Sequence, residues 1–412
     1  MHKVKKKRDD ISIPKKAVIE ILCRVPGHDL AEKLKMVCMQ WCSIIYSGRF
    51  AYSHIEQRKK SSSFSQLEAV VVSFHGNDKR SVRVSSLEWH SIYNKNHHHF
   101  QDWKAKDLCT ANNVILGWKI QPPRMMRVNS VNGFVCFWND SDQARYHVLN
   151  PVTKDYVITP PNPYLGTSIT GEQGTPAAVG FGFCSLSYEY KVVVLDDSYR
   201  KDIKPSVFTI GTDHSWRPLK EIPYSDISET VVCVKGIIYW YAKVTCTPDR
   251  NSTRKREKKT LICFDVTKEE FDVIVVPIEI PKHSVTSVAE KGGRLCLVTI
   301  SRGPICSLLI NVYVACNNTA DDLSSLNSWK KEVTVAAPSI GYSLDLEEYV
   351  YAVSVTDEIV VILLDEDGSD YAFFDVVGGK LLGLFSTRQA TLIPYMSSLV
   401  AFRHRPLLAS SS

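Results

Sequence analysis

Three consecutive histidines, His97, His98 and His99, and twelve cysteines are the residues of this 412-residue chain whose types suit metal or redox chemistry. Neighbouring side chains point in different directions, so "NKNHHHFQDW" is expected to be a solvated loop rather than a metal site. No two cysteines form a C-x-x-C pair, and most stand in apolar strand-like runs such as "GFVCFW", "LICFDV" and "RLCLVT". They are expected to act as small buried hydrophobes in a reducing compartment. Cys38 and Cys42 share a helical face, but no second ligand pair matches them, so no zinc site is expected.

The remaining candidates fail on context. "VGFGF", with Gly180 and Gly182, lacks the third glycine and the following helix of a phosphate loop; close backbone packing is the expected use. Asp365, Glu366, Asp367 and Asp370 in "LLDEDGSD" imitate a calcium loop, but follow a strand and lack the closing glutamate, which suits a hairpin turn. There is no G-x-S-x-G elbow and no H-E-x-x-H pair, and no cue selects two carboxylates for glycoside hydrolysis. The expectation is a chain with no catalytic residue, no metal and no cofactor.

Two basic runs account for the formal charge of +6. "KVKKKR" near the start and "RNSTRKREKK" each contribute +5, which leaves −4 for the rest, so no general basic field and no nucleic-acid binding are expected. The first run reads as a solvated tail, with nuclear import as the alternative. The second, carrying Arg250, Arg254, Lys255, Arg256, Lys258 and Lys259, lies between "GIIYWYAK" and "TLICFDV" and reads as a long hairpin loop. It is a candidate surface for an acidic target, or an insertion with no role. No apolar run reaches the roughly 18 residues a membrane helix needs, and no apolar segment follows the basic start. The cytosol or nucleus is the expected location, with no membrane partner.

The elements that would position a site are of two kinds. In "IPKKAVIEILCRVPGHDLAEKLKMVCMQWCSIIYSGRF", Pro14 suits a first helical turn, and Ala17, Val18, Ile21, Leu22 and Val25 recur at helical spacing up to Pro26-Gly27. Asp29 and Glu32 suggest a capping box for a second helix presenting Leu30, Leu34, Val37, Cys38, Trp41, Ile44 and Ile45 on one face, with Gly48 as its stop. A third helix over about 49–57 and a "KKSSS" linker complete the unit. Three short helices cannot hide this much apolar surface internally, so part must meet another protein or the downstream domain.

From about Phe64 the texture is that of short strands and turns. Hairpins repeat around Leu149, Thr209, Phe264, Val312 and Phe374, at separations of 60, 55, 48 and 62 positions. Most follow a strand opened by a turn, as in "VNGFVCFW", "VKGIIYWYA" and "VTDEIVVILL". No linkers separate the copies, so radial closure is expected: α+β by content but mainly β, a β-propeller of six four-stranded blades, or seven if 65–120 hold an extra one. "SLVAF" is the expected partner of the first strands.

The opening stretch resembles an F-box in Ile13-Pro14, Glu20-Ile21-Leu22, Val25-Pro26, Leu30, Leu34-Lys35, Val37-Cys38 and Trp41, ending before Phe50. Ile13 replaces a leucine, Gly27-His28-Asp29 a Lys-Ser type step, and Met39-Gln40 a more polar pair. The phrases "VNSVNGFVCFW", "VLNPVTKDYVITPP", "VGFGFCSLSYEYKVV", "FTIGTDHSWRPL" and "LICFDVTKEEFDVIVVP" resemble the F-box-associated region of the large plant F-box families. The resemblance implies an F-box over 11–57, a linker over 58–66 and a propeller over 67–405, between disordered tails at 1–10 and 406–412. It implies a non-catalytic substrate receptor of a Skp–cullin–F-box ubiquitin ligase. The adaptor would be bound through Ile13, Pro14, Val18, Ile21, Leu22, Val25, Pro26, Leu30, Leu34, Val37, Cys38 and Trp41, anchored by Trp41, Leu22 and Leu30. A cullin and a RING subunit would join through the adaptor, and the target protein is unspecified. The alternatives are a propeller enzyme and an F-box protein outside the ligase, acting as scaffold or as a glycan or small-ligand reader.

Overall fold

The computed structural model describes residues 13–60, 68–75, 81–88, 106–111, 125–139, 144–166, 176–196, 203–222, 227–246, 256–276, 280, 284–303, 307–316, 328–337, 350–364, 370–386 and 390–402. The two terminal tails, the histidine run and Asp365, Glu366 and Asp367 lie outside the described residues.

The helical unit consists of α1 (Lys15–Leu22), α2 (Gly27–Glu32), a 3₁₀ turn (Leu34–Met36), α3 (Met39–Ile45) and α4 (Gly48–Lys60). Several local expectations are corrected. The second helix is not continuous: Cys38 takes extended backbone (φ −162°, ψ 165°) and separates α3 from the turn before it. A straight helix would have kept Val37 and Cys38 on the stripe of Leu30 and Leu34; the break turns both to solvent. The capping box does not form because α2 begins at Gly27, and Asp29 pairs with Lys33 one turn on (2.7 Å). Gly48 opens a helix instead of closing one, with Ser47 Oγ accepting from the Phe50 N–H (3.3 Å). α4 runs through Lys60 with Arg58 buried, so a linker does not begin at 58.

Among the described residues, six four-stranded antiparallel sheets follow. The first of five consecutive ones holds β4 (Met125–Val131), β5 (Phe134–Asn139), β6 (Tyr146–Asn150) and β7 (Asp155–Ile158). Next come β8 (Ala178–Cys184), β9 (Glu189–Asp196), β10 (Lys204–Thr209) and β11 (Arg217–Pro218). They are followed by β12 (Ile227–Val234), β13 (Ile237–Cys246), β14 (Arg256–Asp265) and β15 (Glu270–Val275). β16 (Val285–Lys291), β17 (Arg294–Arg302), β18 (Leu308–Ala315) and β19 (Trp329–Ala337) make the fourth, and β20 (Tyr351–Val355), β21 (Ile359–Leu363), β22 (Asp370–Asp375) and β23 (Leu381–Ser386) the fifth. The remaining sheet is composite. β1 (Glu68–His75), β2 (Ser81–Glu88) and β3 (Lys106–Ala111) join β24 (Ala390–Tyr395).

Strands β24, β4, β8, β12, β16 and β20 pack on one another in that order, and β20 returns to β24. That closed circuit of first strands is a propeller, and it buries the edges an open array would expose. The repeat anchors fall on β6, β10, β14, β18 and β22, the third strand of each consecutive blade. Residues 65–120 do not form a blade of their own, because their three strands need β24 to complete a sheet. The closing strand is also not "SLVAF": the register runs from Glu68↔Tyr395 to Ser73↔Ala390, and "SLVAF" lies beyond it. Gly180 and Gly182 serve close packing as expected. A Cβ on Gly182 would stand 2.6 Å from Val266 Cγ2, and one on Gly180 would stand 2.7 Å from Ile238 Cγ2.

Charged clips join neighbouring blades. Lys191, on β9, donates to Glu269 Oε1 (2.7 Å) and to the Val266 carbonyl (2.8 Å) in the next blade. Arg217 grips both oxygens of Glu269 at 2.7 Å and reaches Asp213 (3.1 Å). The hydrogen bonds from Arg217, with those from Lys191, hold the Glu269 carboxyl down at about 2 against the pull of burial. Lys291 repeats the device, meeting Glu332 (2.9 Å) and, across the next blade boundary, Asp357 (3.0 Å). These carboxylates are committed to cations and are structural.

Candidate protein-docking site

The helical unit shares one apolar core with the β4–β7 and β8–β11 blades. Val18, Leu22, Leu30, Ile44, Ile45, Phe50 and Ile55 join Phe134, Tyr146, Phe181 and Tyr190 in a single cluster. Tyr52 stacks on Phe183 (5.9 Å) and meets Tyr188 edge-on (4.8 Å). Lys59 donates to Asn132 Oδ1 (2.7 Å), so α4 is pinned to the turn between β4 and β5.

The "SLVAF" segment is the floor of this joint. Ser397 Oγ accepts from the Gly27 N–H (2.9 Å) and from Arg58 Nη1 (2.7 Å), and the Ser397 carbonyl accepts from the same guanidinium nitrogen (3.1 Å). A side chain at position 27 would place its Cβ 2.9 Å from the Ser397 carbonyl carbon, so glycine alone permits this approach. Asn150 Nδ2 donates to the carbonyls of Ser398 (3.1 Å) and Val400 (2.7 Å), and Asp155 accepts from the Phe402 N–H (2.8 Å). The Phe402 ring stacks on Phe134 at 4.3 Å.

This packing divides the expected adaptor-binding residues. Leu22 and Leu30 are 0% exposed and Val18 is buried, all within the chain's own core. Val25, Leu34 and Trp41 are half-buried and pack against that core, and Pro26 is half-buried where α2 begins. Of the three expected anchors, Leu22 and Leu30 are covered by the chain's own core, while Trp41 packs against that core and stays partly exposed. Ile13, Pro14, Ile21, Val37 and Cys38 are exposed. Ile21 reaches 50% and Val37 58%, beside Met36 at 77% and Met39 at 86%. Sequence reasoning passed over the two methionines because they fall outside the helical stripe. The break at Cys38, which exposes them, has no periodic signature. A cleft of about 400 Å³ opens between the helical unit and the turn after β6, lined in part by His28, Glu32, Lys35, Tyr46, Thr153 and Lys154.

The basic run is resolved differently from expectation. Arg250, Arg254 and Lys255 lie outside the described residues. Arg256, Lys258 and Lys259 are on strand β14, not on a loop, because the ladder with β13 extends through Lys243↔Lys259, Val244↔Lys258 and Cys246↔Arg256. Lys259 donates to the Ile280 carbonyl (2.9 Å). Antiparallel alternation places the Cys246↔Arg256 pair at the end of the sheet opposite the Lys235-Gly236 turn. That turn corresponds to the β4–β5 turn gripped by α4, so Cys246 and Arg256, at the far end of the ladder, stand away from the helices.

Cys136, Cys184, Cys263 and Cys296 are buried as expected, and burial pushes the Cys296 thiol up to about 12. Among the described residues no three His, Cys, Asp or Glu side chains gather as a metal site would require. No helix among them is long and apolar enough to cross a membrane.

Residues 70–375 match the model of the F-box associated beta propeller domain, which is well over half of the chain. The chain belongs to that family. An Arabidopsis thaliana protein named as an F-box protein is 24% identical over 309 residues, covering 72% of this chain and 85% of the relative. A second from the same plant is 24% identical over 386 residues, covering 90% of this chain and 92% of its own. The chain is thus an F-box protein of the plant type, with an F-box-associated propeller. Among solved structures, AofleA from Arthrobotrys oligospora aligns with a TM-score of 0.40 and 10% identity, covering 81% of this chain and 90% of that one. So distant a likeness supports no functional conclusion.

Proposed function

We propose that this protein is the substrate-recognition subunit of a Skp–cullin–F-box ubiquitin ligase, working in the cytosol or nucleus. The observation that carries the reading is the apolar surface the helical unit leaves uncovered. Ile13 and Pro14 just ahead of α1 and Ile21 on it, with Met36, Val37 and Met39 around the helix break, are exposed. Solvent-facing residues of this kind, on a unit whose other side is fully packed, suit a protein partner, and the F-box family supports a Skp-type adaptor. The cullin and RING subunit follow through the adaptor.

The chain makes and breaks no bonds in this reading. The propeller holds a target protein while the adaptor holds the helices, and ubiquitin transfer is accelerated by proximity. The floor of Ser397 to Phe402 supports such a role, because it ties the docking unit to the target-holding domain through buried hydrogen bonds. The end of the blades remote from the helices, where Cys246 pairs with Arg256, is the surface assigned to the target.

Co-purification tests the proposal. A Skp-type adaptor and a cullin should accompany the wild type and be lost with Ile21→Asp combined with Val37→Asp, at unchanged melting temperature. Retention of both proteins by that well-folded variant rejects the docking surface. Recovery of the adaptor without a cullin supports the reading outside the ligase.

A further inference from the structure

We propose that Met36 and Met39 form a peroxide-sensitive modification site, and that their conversion to sulfoxides releases the chain from its adaptor. The inference rests on the docking reading above. Of the chain's six methionines, these two flank Val37 and Cys38 and stand 77% and 86% exposed, whereas Met396 is partly buried against the core. Met39 belongs to the pair that departs from the more polar F-box pattern, and neither methionine contributes to the core that holds the helices in place. Their exposed thioethers are therefore free for chemistry without cost to the fold.

The sulfur lone pair attacks one peroxide oxygen, the O–O bond breaks, an S–O bond forms and water leaves. The thioether is oxidised and the peroxide is reduced. A flexible apolar group becomes a polar acceptor. In a docked complex each sulfoxide oxygen would be taken from water without a donor waiting for it, which weakens binding by roughly tenfold per group. Sulfoxide reductases reverse the step, so the site can be reset.

The test uses the full chain and purified Skp-type adaptor, with dithiothreitol added after peroxide to reverse thiol oxidation, which leaves methionine sulfoxides in place. After mild hydrogen peroxide, peptide mapping should find oxygen on Met36 and Met39 ahead of Met396. Adaptor affinity should fall at least about tenfold and return after methionine sulfoxide reductase treatment. The Met36→Leu/Met39→Leu variant, whatever its untreated affinity, should show the same affinity before and after peroxide. Equal binding by protein oxidised at both positions overturns the inference, as does equal loss in the leucine variant. If untreated wild type binds no adaptor, the docking reading itself fails and takes the inference with it, an outcome distinct from the other two.

Discussion

Arg58 Nη1 donates to Ser397 Oγ across 2.7 Å, joining positions 339 residues apart, and both side chains are buried. The bond ties the last helix of the docking unit to the segment that follows the closing strand of the propeller. The same guanidinium nitrogen donates to the Ser397 carbonyl (3.1 Å), and this double contact helps set the angle at which the helices stand on the blades.

Removing one side of that bond should loosen the joint without opening the ring. Ser397→Ala should lower stability by about 1–3 kcal/mol, the range for stranding a buried polar partner. Hydrogen exchange should rise across residues 15–60 and stay unchanged in β17 and β18. Uniform acceleration over all blades would show that the joint and the ring unfold as one.

Two neighbours in sequence should behave as opposites. Leu22 is fully buried and Ile21 half exposed. Leu22→Ala should cost about 2–5 kcal/mol, with a matching fall in melting temperature. Ile21→Ala should stay within about 0.5 kcal/mol of wild type. Thermal melts of the two variants decide this directly.

The Lys191–Glu269–Arg217 clip predicts an acid-sensitive blade boundary. The folded carboxyl titrates near 2, below the usual unfolded value of about 4.3. A depressed folded value adds stability that is complete above the unfolded one and drains as pH falls from about 4.3 toward 2. Glu269→Gln should therefore be less stable than wild type at pH 7, with the gap narrowing across that window. Urea midpoints measured at pH 7, 4 and 3 would reveal it, and a constant gap would assign the loss to packing.

Gly182→Ala should be destabilising although alanine favours neither strand nor turn strongly. The new methyl would press on Val266 and Ile238 of the next blade, where overpacking costs about 1–3 kcal/mol. Gly293→Ala is the matched control for space, since nothing lies within 4 Å of its Cβ position, and any cost there reports the left-handed turn (φ 72°) alone.

Much of this architecture was legible because it is periodic. Leu149, Thr209, Phe264, Val312 and Phe374 all proved to be third strands, since each hairpin repeats the same alternation and turn chemistry. What stayed hidden depends on which partner a surface meets. A helical stripe announces that Leu22, Leu30 and Trp41 will be covered, but not that their own propeller covers them. "SLVAF" looks like a strand in composition, yet its carbonyls are taken by the Asn150 side chain, a choice that alternation does not encode. The break at Cys38 was invisible because the residues around it are acceptable helix formers, and nothing in their spacing marks the extended backbone there.

The wide separation between Arg58 and Ser397 bears on how the protein is born. A ribosome releases the helices early and their floor only after another 339 positions. Through most of synthesis Leu22 and Leu30 lack the platform that conceals them in the finished molecule. A chain halted before Ser397 would carry an unsettled amino-terminal unit with its grease on show, the kind of flaw that quality-control chaperones seize.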